Sequence, residues 1–169
     1  MTNLSRIFFI SIILPVLLFA CAHSPQPNET VTNESVQKTK RKVATNNSTG
    51  QQIAELASSL LGSPYKYGGT SPKGFDCSGL VYYTHAKFGI RTPRTSLQQF
   101  KHSKHIKLSE LDAGDLVFFK LNRSKVSHVG IYIGKGQFVH APNRGKHVAV
   151  NKLNDRFWKP RIVSAGRLH

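Results

Sequence analysis

At 169 residues the chain has room for one folded domain and is short for two. Hydrophobic residues make up 39% of it, enough for a packed core, which excludes a wholly disordered chain. The charge is lopsided, 24 Lys+Arg against 8 Asp+Glu for a formal net of +16, so an anionic partner is expected.

The N-terminus reads "MTNLSRIFFISIILPVLLFACA". Arg6 is a positive n-region, and Ile7 to Ala20 is an apolar run of about 14 residues, short of the ~18 expected of a spanning helix. Residues 1–20 are therefore expected to be a signal peptide. "LFAC", Leu18 to Cys21, is similar to a bacterial lipobox, with bulky Phe19 where a small residue is usual, and it makes Cys21 a candidate for lipidation. "ACA" is also an ordinary A-x-A cleavage site, but it leaves the Cys21 thiol without a purpose. Ala22 rather than Asp after the cysteine implies, by resemblance to sorted lipoproteins of Gram-negative bacteria, an outer-membrane anchor facing the periplasm.

Residues 22–50 are rich in Asn, Thr, Ser, Lys and Pro and cannot bury enough surface to offset their ordering entropy. With Cys21 they read as a flexible tether spanning about 30 Å. The domain, residues 51–169, opens with Ile53, Leu56, Ala57, Leu60 and Leu61 at helical spacing. Ser48 or Thr49 caps that helix and Gly62 stops it. "SPYKYGGTSPKG" reads as loop with a short extended piece at Tyr65–Tyr67. A second helix is expected over Asp76–Phe88 and a third from Ser96, with Thr95–Gln98 as its capping box. Then the period changes. "GDLVFFKL", "SHVGIYIG", "GQFVHAP", "KHVAVNKL" and "RIVSAGRL" are short β-rich runs between turn residues. Helices first and antiparallel strands second make an α+β domain.

With Cys21 assigned to the anchor, Cys77 is alone and forms no intramolecular disulfide. It is an inert core residue, a metal ligand or a nucleophile. In "GFDCSGL", Asp76 is a good N-cap, which puts Cys77 at the first helical position, beside unpaired N–H groups and the positive end of the dipole. That environment favours thiolate over thiol. Ser78 and Gly79 keep the first turn small enough for a substrate to approach.

A nucleophilic thiol needs a base. Of eight histidines, His128 and His140 stand inside strands with apolar neighbours. If Gly134–Gly136 is the loop of a hairpin, Ile133 pairs with Gln137 and His140 lies opposite Gly130, with His128 its diagonal neighbour on the same face. Tyr132 and Phe138 share that face; Val129, Ile131, Ile133, Val139 and Ala141 take the other. A one-residue change of register separates the histidines. In this array Cys77 attacks a carbonyl, His128 is its base and His140 orients His128. The N–H of Cys77 and the hydroxyl of Tyr65 are candidate donors to the oxyanion. One Cys and two His also suit zinc, although the domain has no second cysteine, no CxxC and no H-E-x-x-H. The plainer alternative, set below the catalytic reading, is that the two histidines are satisfied core residues.

"GSPYKYGGTSPKGFDCSGLVYY", "PRTSLQQ", "LDAGDLVFF" and "SHVGIYIGKGQFVHAP" resemble, in this order, the signature blocks of the NlpC-type (p-sixty) cysteine peptidases, and within them the Spr/MepS type of lipid-anchored murein endopeptidase. The resemblance implies a small papain-like fold and a catalytic triad of Cys77, His128 and His140. It places Tyr65 beside the cysteine, with Asp76 and Ser78 lining the site. It implies hydrolysis of peptidoglycan stem peptides, at the D-Ala–meso-diaminopimelate cross-link for the Spr type and at D-Glu–diaminopimelate for other members. It calls for no metal and no cofactor.

Stem peptides carry carboxylates that suit the basic chain. Lys66, Lys73, Arg91, Arg94 and Arg123 lie near the motif blocks, each most simply solvated charge. Arg94 and Ser96, in "PRTS", are the candidate substrate-binding residues. Nucleic acid is not expected as a partner of an exported chain whose aromatics do not interleave with its basic residues. A monomer is expected. The alternatives from other classes are a non-catalytic wall-binding module, against which the intact Cys77, His128 and His140 argue, and an acyltransferase using the same triad.

Overall fold

The computed structural model describes residues 47–121 and 125–169. The expected signal peptide, Cys21, residues 22–46 of the expected tether and Arg123 lie outside the described residues; the last tether residues, 47–50, do not, and Thr49 and Gly50 belong to the first helix rather than to a tether. Helix α1, Thr49–Ser59, starts where Ser48 turns its Oγ to accept the Gln51 N–H at 3.2 Å. It buries Ile53, Ala54 and Ala57. Leu61, expected on the same apolar stripe, is 45% exposed, because the helix ends at Ser59 and the chain turns away through Gly62 at φ 82°. The expected loop that follows holds a small hairpin, β1 (Thr70–Ser71) with β2 (Gly74–Phe75). Helix α2 is Cys77–Ala86, starting one residue later and ending two earlier than the sequence suggests, and α3 is Ser96–His102. The Thr95 hydroxyl caps α3 on Gln98.

The strands are β3 (Lys104–Ile106), β4 (Leu116–Phe119), β5 (His128–Gly134), β6 (Gln137–His140), β7 (Ala149–Lys152) and β8 (Ile162–Arg167). They form one antiparallel sheet in the order β3-β8-β4-β5-β6-β7. The last strand is thus inserted beside β4. There the Arg167 guanidinium grips the fully buried Asp115 carboxylate through Nε and Nη2, each at 2.7 Å. Pairing two charges at close range offsets the cost of burying the carboxylate.

The β5–β6 hairpin has a two-residue loop, Lys135-Gly136, both at positive φ, rather than the three residues the sequence suggests. Alone, the shorter loop would shift the register by one. A bulge between Tyr132 and Gly134 takes up the extra residue and restores Tyr132 opposite Phe138 and Ile131 opposite Val139. The faces therefore divide as the expected register requires. Val129, Ile131, Val139 and Ala141 pack with Ile53, Ala57, Leu80 and Val81 of α1 and α2. Tyr132 and Phe138 join Val117, Phe119 and Trp158 in a second core on the opposite face. Each fully buried side chain of this size stabilises by roughly 1.5–3 kcal/mol.

Candidate active site

The site is built on the start of α2. Asp76 is extended at φ −94° and ψ 173°, which turns its carboxylate onto the first turn, where Oδ1 accepts the Gly79 N–H at 2.7 Å. Its Oδ2 accepts the Gly68 N–H at 2.9 Å and so ties the preceding loop to the helix. Arg94 closes the network with Nη1 on Oδ1 at 2.9 Å and Nη2 on Oδ2 at 2.6 Å, and Nη1 also donates to the Ser78 hydroxyl at 3.0 Å. Glycine at 79 follows from packing: a Cβ there would run into the Gly69 carbonyl. Cys77 is thereby fixed in place, half-buried, with its sulfur against the N–H groups of Val129, Ser78 and its own residue.

Val129 follows His128 on β5. His128 and His140 are buried and bonded to each other, Nε2 to Nδ1, at 2.9 Å. Their side chains close the diagonal gap that a hairpin leaves between such positions. The space above Gly130, opposite His140, is filled by the Phe138 ring and not by an imidazole. Trp158 stacks on His128 at 5.5 Å and meets His140 edge-on at 4.8 Å, so both rings are held in orientation. The other nitrogen of His140, Nε2, meets Asn151 Oδ1 of β7 at 2.8 Å.

Electrostatics correct one expectation. The helix start presents its N–H groups to the sulfur, but burial dominates and, with the Asp76 carboxylate, pushes the Cys77 thiol up to about 11. Burial pushes His128 down to about 3, helped by His140, and pushes His140 down to about 4 against its bond to Asn151. At rest the Cys77 thiol and both imidazoles are neutral, so there is no standing thiolate. Burial, then the charges of Cys77 and Asp76, raises the Tyr65 phenol above its ordinary value, so it stays a hydroxyl donor. Burial alone would raise the Asp76 carboxyl, but the bonds from Arg94, Gly79 and Gly68 outweigh it and hold it below the usual range.

A cleft of about 430 Å³ opens over the sulfur, and Tyr65, Asp76, Cys77, Ser78, Arg94 and Ser96 all line it. Of the six, Arg94 is already committed: its fork holds Asp76, so the pair offers little net charge to an anion. His128 and His140 are spent on each other and on Asn151, and among the described residues no cluster of three His, Cys, Asp or Glu side chains is arranged to hold a metal ion. Asn151, Gln99 and Trp158 are the residues that sequence reasoning missed. Gln99 is buried and bonds the Ser78 and Pro93 carbonyls at 2.9 and 2.8 Å, pinning α3 to the start of α2. Asn151 was visible only as a polar residue in a β-rich run, and its partner depends on a β6–β7 register that a long loop leaves unset.

A thiol at a capped helix start, held against the first residues of an antiparallel sheet that carries a bonded histidine pair, is the layout of a cysteine hydrolase on a papain-like fold. The chain belongs to the NlpC/P60 family, whose model matches residues 62–167. It is 42% identical over 113 residues to the murein DD-endopeptidase MepH of Escherichia coli, across 64% of this chain and 42% of that protein. It is also 42% identical over 121 residues to the bifunctional muramidase/DL-endopeptidase CwlT of Bacillus subtilis, across 70% of this chain and 36% of that protein. These curated relatives are longer, and the matched part spans about two-fifths of their length. An NlpC/P60 family protein from Bacillus cereus has the same fold, with a TM-score of 0.67 and 32% identity over 70% of this chain and 40% of that one.

Proposed function

We propose that this domain is a peptidoglycan endopeptidase in which Cys77 is the nucleophile, His128 its base and His140 the orienter of that base. The observation that carries the reading is the bonded pair His128–His140, 2.9 Å apart, beside the strand position whose N–H meets the Cys77 sulfur. As Cys77 Sγ adds to a stem-peptide carbonyl, its proton passes to His128. The imidazolium then protonates the leaving amine as the C–N bond breaks, leaving a thioester on Cys77. Water, deprotonated by His128, hydrolyses that thioester and regenerates the thiol. The Cys77 N–H and the Tyr65 hydroxyl stabilise the tetrahedral oxyanion. Base assistance of this kind is typically worth about 10²–10⁴-fold.

The bond we favour is the D-Ala–meso-diaminopimelate cross-link, the DD chemistry in the name of MepH. The DL chemistry in the name of CwlT makes D-Glu–diaminopimelate the alternative. Digestion of purified peptidoglycan, with products identified by mass spectrometry, separates them: loss of cross-linked dimers supports the first, fragments ending at D-Glu the second. If the wild type releases no fragment at all, the non-catalytic wall-binding reading takes its place.

The same proposal places the domain at the outer membrane, facing the periplasm, as a monomer on a tether acylated at Cys21. Apolar chains contribute about 0.8 kcal/mol per buried CH₂, so several acyl groups anchor firmly. The mass of the mature N-terminus tests this, and an unmodified start at His23 would remove the anchor.

A further inference from the structure

We infer that Asn151 is a positioning residue that gives the histidine pair a single hydrogen-bond direction, leaving Nδ1 of His128 as the one bare nitrogen available to the Cys77 proton. This rests on the cysteine-hydrolase reading of the site and adds to it a fourth member, from β7.

Asn151 Oδ1 is an acceptor only, so His140 Nε2, 2.8 Å away, carries its proton and donates. A neutral imidazole has one N–H, which leaves His140 Nδ1 bare. That nitrogen lies 2.9 Å from His128 Nε2, so His128 Nε2 is the donor in their bond. His128 then has its only proton on Nε2 and its lone pair on Nδ1. With an N–H donor in place of the Asn151 oxygen, every proton would reverse. His140 would donate from Nδ1, His128 would hold its proton on Nδ1, and the pair would offer Cys77 no base. The burial of both rings keeps them neutral near pH 7, so each holds one proton for this chain to place. The clamp of Trp158 on both rings, with Phe119 6.0 Å from His128 and Phe138 5.1 Å from His140, prevents ring flips that would scramble the order.

Asn151 stands opposite Phe138 across the β6–β7 ladder, with His140 opposite Ala149. Residues 138 and 140 share a face, as do 149 and 151, so Asn151 is the diagonal neighbour of His140. The spacing of the two strands alone delivers the oxygen to the ring.

The test is nitrogen NMR of the full chain with ¹⁵N-labelled histidine at neutral pH. His128 and His140 are both expected as Nε2–H tautomers. Asn151→Ala is expected to mix the tautomers and to lower kcat about tenfold or more with KM unchanged, because an orienter acts on the base and not on substrate affinity. Asn151→Asp, which keeps an acceptor oxygen, is expected to restore the tautomer and most of kcat. A proton on Nδ1 of His128 in the wild type overturns the inference without any variant. So does Asn151→Ala with tautomers and kcat both unchanged. The Cys77 alkylation rate with iodoacetamide reads the base without peptidoglycan. If that rate falls in Asn151→Ala while the wild type cuts no peptidoglycan, the peptidase reading fails and the inference stands.

Discussion

Arg94 shows how a single residue holds the site together. Its guanidinium is the counter-charge that lets Asp76 stay ionised while capping α2 and binding Gly68. Arg94→Gln is expected to destabilise the fold by about 1–2 kcal/mol, the low end for bonds to a charged group because Arg94 is partly exposed. It is also expected to lower activity more than stability, since it loosens the turn that carries Cys77. Urea unfolding and muropeptide release from the same samples check both. The sequence puts Arg94 near the site as a candidate substrate-binding residue but does not show its bond to Asp76, which sits 18 positions away, and no local pattern announces such a pair. The helix-start position of Cys77 and the shared face of His128 and His140 were legible for the opposite reason: a cap motif and a two-residue period each fix a side chain's surroundings over a few positions.

A buried histidine sets the acid limit. His85 is fully buried in α2, its Nδ1 donates to the Val81 carbonyl at 3.0 Å, and its Nε2 has no partner. A second proton there would meet no acceptor, and burial holds the ring down at about 4. The unfolded chain titrates near 6.5, so below that pH it binds protons that the folded chain refuses. His85, with His128 and His140 lowered in the same way, contributes stability that is intact above about pH 6.5 and is lost as pH falls toward 4 and 3. A melting temperature that drops between pH 7 and pH 5, and drops less in His85→Leu, is the expected result.

At the scale of elements, the start of α2 and the β5–β6 hairpin are each fixed by one close fit. Gly79→Ala would press a methyl into the Gly69 carbonyl, which is backbone and cannot swing aside. Overpacking of this kind costs about 1–3 kcal/mol, and here it also displaces the helix that carries Cys77. A lower urea midpoint together with a fall in kcat is expected, whereas a change confined to KM would contradict the geometry. The helices and the longer strands were readable because their periodicity extends over several residues. β1, β2 and β3 were not, since two or three residues carry no period and two of the three are polar. The hairpin puts both histidines on one face in a way that no residue pattern announces: its loop has two residues rather than three, and the bulge compensates.

At the scale of the whole molecule, α+β organisation with helices on an antiparallel sheet follows from the order of the two periods along the chain. What the order does not give is the insertion of β8 between β3 and β4, which depends on long-range pairing and on the Asp115–Arg167 grip. Net charge acts at this scale too. A chain with a formal net of +16 is drawn to a polymer bearing carboxylates. Binding of the Cys77→Ser protein to insoluble peptidoglycan is expected to weaken steadily as ionic strength rises through the range where the Debye length falls below about 10 Å. Retention independent of salt would assign recognition to neutral contacts instead.

The most direct measurement compares the initial rate of muropeptide release from purified peptidoglycan by the wild type and by Cys77→Ser, both with a chelator present. If Cys77 is the nucleophile, the wild type is unaffected by the chelator and the serine variant is slower by about 10³-fold or more. A serine variant within about tenfold of the wild type, or a wild type silenced by the chelator, would contradict the thiol mechanism.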